Sequence, residues 1–174
     1  MMYHKELYAP HNDSLDRFIQ SFNQTLIFPN LIMIRCPTEN FKHDALIIDM
    51  DSKKILGFDW SKSPQILFID GTWRYSQYTL IASKYDIESS DLYITTDANE
   101  EHILVLWRSD IDVSKKSYFL DHGHGGEVVR PVYKTTNYKI YNLQELETFK
   151  IAINKALNNQ HNIKQKNYGG IQYE

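Results

Sequence analysis

Cysteine is nearly absent from this sequence, and so are the long apolar runs of membrane proteins. The single cysteine, Cys36, allows neither an intrachain disulfide nor a zinc site built from several thiolates. No apolar stretch approaches the ~20 residues that a membrane-spanning helix needs. The first residues lack the apolar segment of a secretory signal peptide. These absences predict a globular protein of the reducing cytoplasm that does not enter a membrane.

The sequence also lacks an excess of positive charge and the glycine-rich motifs of nucleotide-binding folds. Its formal net charge of −3 does not indicate an overall basic nucleic-acid binder, although a local basic surface is compatible with it. Neither G-x-G-x-x-G nor G-x-x-x-x-G-K-[ST] occurs, and no G-x-S-x-G elbow is present. The sequence therefore gives no support to dinucleotide, P-loop or α/β-hydrolase chemistry.

What the chain does contain is enough apolar material for one core. With 174 residues, of which 42% are hydrophobic, it fits a single domain of ordinary size. We interpret residues 1–157 as that domain and residues 158–174 as a polar, mobile C-terminal tail. Twelve tyrosines and three tryptophans provide aromatic surface that could stack on bases or contact a protein partner.

The N-terminal region predicts a helix that follows an extended segment. Apolar residues recur at helical spacing over about 14–25, and Asp13 or Ser14 is a suitable N-cap. Pro10 argues against helix in the residues before that cap.

The rest of the chain predicts a mixed α and β fold. A helix over about 143–157 follows Asn142, with Glu145 placed to complete a capping box. A further helical face is predicted within 72–84. We therefore expect an α+β or α/β protein whose central mixed sheet of about five to six strands is flanked by helices. The predicted strands cover 31–35, 45–48, 55–58, 92–95, 102–107 and 128–133.

One stretch carries a candidate site: two apolar strands that flank a polar turn, with an aspartate at each outer end. If the strands 45–48 and 55–58 pair as an antiparallel hairpin, Asp44 and Asp59 meet at its open end. Two adjacent carboxylates either bind a divalent cation or repel each other. The alternative is that each aspartate only bounds a strand and faces solvent.

The element order, with Asp44 on the second strand and Asp59 on the third, resembles the PD-(D/E)xK nuclease-like superfamily. The resemblance covers roughly residues 14–107 and implies a restriction-endonuclease-like core. It implies that the two carboxylates hold Mg²⁺ or Mn²⁺, which activates water for hydrolysis of a DNA or RNA phosphodiester.

The lysine of that motif is not in its place. Ser61 occupies the position, and Lys62 follows one residue late, where strand alternation directs it to the opposite face. Lys84 on the predicted helix is the alternative source of an amine, with Gln77 as a further catalytic candidate on the same face. Asp16 on the first helix is a weaker candidate ligand. Either the lysine has migrated, or the site binds without cutting.

Two other interpretations remain open. The missing lysine, the mild acidity and the tyrosines also suit a non-enzymatic phage or mobile-element protein that inhibits a host nuclease or defence complex, of the anti-CRISPR or anti-restriction type. The aromatic content alone would suit a carbohydrate or small-ligand binder. In the segment 121–126, DHGHGG, His122 and His124 suggest a metal site, but zinc needs further ligands and the glycines favour a plain loop.

Overall fold

A mixed β-sheet forms the centre of the protein in a computed structural model, which describes residues 5–37, 42–121 and 126–159. Among these described residues, no helix is both long and apolar enough to cross a membrane. The elements, in chain order, are α1 (Lys5–Gln24), β1 (Leu31–Arg35), β2 (Ala45–Asp49), β3 (Ile55–Lys62), β4 (Phe68–Ile69), β5 (Thr72–Trp73), β6 (Tyr78–Ile81), a π-helical turn (Lys84–Glu88), β7 (Leu92–Thr96), β8 (His102–Trp107), a 3₁₀ turn (Arg108–Asp110), β9 (Lys116–Asp121), β10 (Val128–Thr135), β11 (Lys139–Asn142), a 3₁₀ turn (Leu143–Glu145) and α2 (Leu146–Asn158).

The central sheet has six strands in the order β1-β2-β3-β7-β8-β11. β3 and β7 are parallel, and the other neighbours are antiparallel. The predicted hairpin is confirmed, because β2 and β3 pair with Ala45 opposite Phe58 and Ile48 opposite Ile55. The predicted α+β fold with a central mixed sheet flanked by helices is thereby confirmed.

The two faces of this sheet are covered by different layers. α1 and α2 pack on one face, where the ring of Phe18 stacks on Trp60 with centroids 4.7 Å apart. On the opposite face, Tyr93 packs with residues of a three-stranded sheet of order β6-β10-β9. Alternation along β7 sends Leu92 and Ile94 to the helices and Tyr93 to the small sheet.

The start of α1 differs from the prediction. The helix begins at Lys5, so the predicted extended segment and the cap at Asp13 or Ser14 are wrong. Pro10 lies in the second turn of this helix, where proline has no N–H to donate to the carbonyl four residues earlier. Ser14 is buried inside the helix, and its hydroxyl accepts a hydrogen bond from Trp60 Nε1 at 2.9 Å.

The predicted helix within 72–84 is also wrong. This segment forms the short strands β5 and β6 before the π-helical turn. Tyr78, Thr79 and Ile81 favour extended backbone, and β6 pairs with β10 more than fifty residues later, with Leu80 opposite Tyr133.

The C-terminal helix is close to its prediction. The side chain of Asn142 accepts a hydrogen bond from the Gln144 N–H at 2.8 Å, so the predicted cap is confirmed for the preceding 3₁₀ turn. Glu145 takes the N-cap position of α2 itself, so the predicted capping box is wrong. The predicted tail lies outside the described residues from position 160 onward.

Candidate active site

The structure brings Asp44 and Asp59 together at the open end of the β2–β3 hairpin. Asp44 continues the ladder by one residue, since its N–H donates to the Phe58 carbonyl at 3.0 Å. Its carboxylate reaches along β3 and accepts a hydrogen bond from the Trp60 N–H at 2.8 Å. Asp59 lies between these two residues and is partly buried. The hairpin register, which is a property of the local sequence, therefore places the two carboxylates side by side.

The carboxylate of Asp44 is held in an environment that disfavours its charge. Burial and the neighbouring charge of Asp59 raise the pKa of Asp44 to about 6. The Trp60 N–H and the Lys84 ammonium oppose this rise, but they do not cancel it. The pair therefore gains stability from an added proton or an added cation between its oxygens.

Lys84 supplies the amine of the site. It opens the π-helical turn after β6, and its Nζ lies 2.6 Å from Asp59 Oδ2. Burial opposes the charge of Lys84, but the charge and hydrogen bond of Asp59 together raise its pKa above the ordinary value. Lys84 is therefore an ammonium at neutral pH, suited to stabilising negative charge and not to removing a proton.

Glu88 is a third carboxylate of the site that the sequence interpretation missed. It ends the turn that Lys84 begins. Burial raises the pKa of Glu88, and the negative charges of Asp59 and Asp44 raise it further against the opposing Lys84. Its Oε2 is buried and has no hydrogen-bond partner among the described residues. The four-residue spacing from Lys84, typical of one helical face, was the signal that could have identified it.

A group of hydroxyls occupies the place where the family motif has its lysine. The Ser61 and Thr95 hydroxyl oxygens lie 3.0 Å apart, and the Tyr78 hydroxyl lies 2.8 Å from that of Thr95. Burial raises the pKa of Tyr78, so its hydroxyl stays protonated at neutral pH. This edge of the site is polar and uncharged.

Lys62 lies away from the carboxylates, as strand alternation predicts. Its Nζ bonds Glu100 Oε2 at 3.3 Å, and the same carboxylate accepts from Arg17 at 2.8 Å. This network ties α1 to the end of β3. Of the two lysines considered from the sequence, the structure brings only Lys84 to Asp59.

Two further candidates are placed elsewhere. Gln77 is exposed in the loop before β6, so its predicted position above Lys84 on a helix is wrong. Its carbonyl accepts a hydrogen bond from Trp73 Nε1 at 3.2 Å. Asp16 forms an ion pair with Arg35 at 2.9 Å.

The remaining reactive groups do not add to the site. Cys36 is buried, and burial with the charge of Asp44 raises the pKa of its thiol to about 11, which makes it unreactive. His122 and His124 lie outside the described residues.

The donor set fits a hard divalent cation. Mg²⁺ keeps several waters and needs only one or two protein carboxylates, which Asp44 and Asp59 can provide. No group of three acidic, histidine or cysteine side chains in the described ranges is arranged to hold a metal ion. The candidate therefore consists of the aspartate pair, with the unbonded oxygen of Glu88 beside it.

Comparisons with known proteins found no relative of this chain. No protein-family model, no curated protein and no solved structure significantly matches the chain. The function must therefore be inferred from the chemistry of the site.

The raised pKa of Asp44 predicts a pH-dependent stability. Between pH 3.8 and about 6 the folded state holds a proton that the unfolded state has released. The free energy of unfolding without divalent metal should therefore fall as the pH rises through this window. Urea unfolding at several pH values across the window measures this fall. Asp44→Asn should diminish the fall, whereas Asp51→Asn, in the exposed turn of the same hairpin, should retain it. An unchanged pH profile in Asp44→Asn would contradict the assignment.

Proposed function

We propose that the protein is a divalent-metal-dependent nuclease with a PD-(D/E)xK-like site in which a displaced lysine, Lys84, serves the carboxylate pair. The observation that carries this proposal is the 2.6 Å contact between Lys84 Nζ and Asp59 Oδ2, at the end of the hairpin where Asp44 lies. Two carboxylates and one ammonium at the open end of the hairpin are groups that metal-assisted phosphodiester hydrolysis can use.

Each residue of the site has a role that follows from its charge. Asp44 and Asp59 would hold Mg²⁺ or Mn²⁺, and Glu88 adds negative charge beside them. When bound, the metal supplies Lewis acidity and a water of lowered pKa. Lys84 remains protonated, so it donates hydrogen bonds and stabilises the negative charge that develops on the phosphate oxygens.

The scaffold keeps Asp59 rigid. Trp60, the next residue, is buried on the helix side of β3, stacked on Phe18 and bonded to Ser14. Because neighbouring residues of a strand point to opposite faces, this anchor fixes Asp59 on the other side. Such preorganisation supports a catalytic role, since misplaced charges contribute little.

The direct test uses the purified full chain on single- and double-stranded DNA and RNA. We expect cleavage with Mg²⁺ or Mn²⁺ and none with EDTA, followed by gel electrophoresis of end-labelled substrates. Absence of cleavage on every substrate with both metals would contradict the nuclease proposal.

A second candidate function is supported by a different surface. The paired strands β9 and β10 expose apolar side chains, with Tyr118 66% and Val129 63% exposed. Such a surface suits a protein partner. We propose as the alternative a non-enzymatic phage or mobile-element protein that inhibits a host nuclease or defence complex. A stoichiometric complex with a nuclease that is lost in Val129→Lys and retained in Asp44→Ala would favour it over the enzyme.

A further inference from the structure

A cleft of about 740 Å³ opens next to the carboxylate site, between the end of β3 and the three-stranded sheet. Ser61, Lys62 and Thr95 line it, together with the aromatic side chains of Trp73, Tyr75, Tyr78 and Phe119 and with Lys134. This volume lies within the range of pockets that bind small organic groups. None of the four side chains assigned to phosphodiester hydrolysis lines this cleft.

The cleft adjoins the proposed catalytic groups directly. Ser61 follows Asp59 by two residues, so both side chains lie on the same side of β3, about 7 Å apart along the strand. The Tyr78 hydroxyl bonds that of Thr95, which also lines the cleft, and the charges of Lys84 and Asp59 act on the Tyr78 hydroxyl. A ligand in the cleft would therefore continue into the carboxylate site.

The aromatic rings of the cleft keep surface available for stacking. Tyr75 is 50% exposed and Phe119 is 39% exposed, and both line the cleft. Trp73 also lines the cleft and packs against the core, with its ring centroid 6.0 Å from that of Tyr75. Exposed aromatic side chains in a groove stack on unpaired bases with little dependence on sequence.

Positive charge lies on the same face of the small sheet. Val132 of β10 stands opposite Ile81 and Ser117, and residues two positions away on β10 share its face. Those residues are Arg130, opposite Phe119, and Lys134, opposite Thr79. The whole chain carries a net charge of −3, but Arg130 and Lys134 place two positive charges on the same face as Phe119. Positive charge beside an aromatic ring complements a phosphate backbone.

We propose that this cleft binds an unstacked base of a single-stranded nucleic acid, with the adjoining phosphate at Asp59 and Lys84. This inference rests on the proposed nuclease function and names its substrate class. Bases within a duplex do not present their faces to a protein, whereas a single strand offers them for stacking. The charge beside the rings distinguishes this occupant from an apolar peptide.

The test measures binding in EDTA, so that no cleavage is required. The probe is a short fluorescein-labelled oligothymidine, compared by anisotropy with a duplex that contains the same strand. We expect the wild type to prefer the single strand. Phe119→Ala and Tyr75→Ala should each weaken that binding roughly 5- to 100-fold.

The chain offers matched controls for these variants. Tyr118 neighbours Phe119 on β9 but points to the other face and is 66% exposed, so Tyr118→Ala should bind like the wild type. Lys134→Gln should reduce the slope of log affinity against log salt by about 0.7, as for one lost phosphate contact. Lys139→Gln, on the distant β11, should leave the slope unchanged.

Three results would overturn the inference: no binding of oligothymidine, equal binding of strand and duplex, or wild-type affinity in both aromatic variants. Circular dichroism melts establish that each variant is folded, and Tyr75→Ala tests the cleft if Phe119→Ala does not fold. If the wild type cleaves with metal but its aromatic variants bind normally, the base-binding cleft is overturned and the nuclease proposal stands. If binding depends on the cleft but no cleavage occurs with Mg²⁺ or Mn²⁺, the nuclease proposal is overturned and the base-binding cleft stands.

Discussion

Replacing Asp59 with asparagine should abolish metal-dependent cleavage while the protein stays folded. The substitution keeps the shape of the side chain but removes one of the two adjacent carboxylates. It also removes the partner that Lys84 contacts at 2.6 Å. Loss of groups that merely support a metal ligand costs about 10- to 100-fold, so loss of a ligand should cost at least about 100-fold in kcat/KM. Initial rates on an end-labelled substrate measure this loss.

A stability measurement separates loss of the site from loss of the fold. Without metal, Asp59→Asn relieves the repulsion on Asp44, because the charge of Asp59 is one cause of the raised Asp44 pKa. We therefore expect a melting temperature close to that of the wild type. Added Mg²⁺ should raise the melting temperature of the wild type by mass action and should leave that of Asp59→Asn unchanged.

The matched control for this experiment is Asp51→Asn. Asp51 lies in the exposed turn at the other end of the same hairpin, so its removal changes the net charge equally without touching the site. It should retain both the cleavage and the stabilisation by Mg²⁺. Full activity in Asp59→Asn would show that the cleavage arises elsewhere, and the metal-site assignment would then be lost.

The part of this site that could be predicted from the sequence is the part that depends on local pairing. β2 and β3 are short apolar segments around a polar turn, and antiparallel pairing across a turn has few registers that keep the apolar residues buried. The adjacency of Asp44 and Asp59 follows from that register. Strand alternation likewise predicts that Lys62 points away, where it bonds Glu100.

The parts that were missed depend on contacts between distant segments. Residues 72–84 carry apolar residues at helical spacing, but the pairing of β6 with β10 imposes a strand. β9 and β11 were not predicted, because β9 is largely exposed and β11 is only four residues long. Their place is set by β10 and β8, which they pair with.

The sequence predicts Lys84 as a source of the amine, but it predicts the wrong secondary structure around it. The sequence interpretation put Lys84 on a regular helix, which would have brought Gln77 beside it. The observed π-helical turn is only five residues long and contains Glu88 instead. Sequence periodicity does not distinguish such a turn from a regular helix. The turn is accompanied instead by tertiary contacts, in which Lys84 bonds Asp59 and the Tyr93 hydroxyl donates to the Lys84 carbonyl.

Lys84→Met should reduce kcat about 100-fold or more, the usual effect of removing one group that stabilises transition-state charge. Methionine keeps the length of the side chain and removes only the ammonium. Because Lys84 lowers the pKa values of Asp44 and Glu88, its loss should raise both. Asp44 would then release its proton, and the aspartate pair would bind Mg²⁺, only at a higher pH. The rise of activity with pH should therefore shift to more alkaline values, in addition to the fall in kcat.

Lys62→Met is the matched control, since Lys62 lies three residues after Asp59 on β3 but bonds Glu100. Lys62 also lines the cleft, so the comparison uses kcat and not KM. Lys62→Met should keep the wild-type kcat and pH profile, with at most a small loss of stability from the partly exposed ion pair. A fall in activity in Lys62→Met with normal activity in Lys84→Met would assign the amine to Lys62 and contradict the displaced-lysine site. Normal cleavage in both variants would show that neither amine takes part. The pair of variants therefore decides between the two lysines that the sequence alone left open.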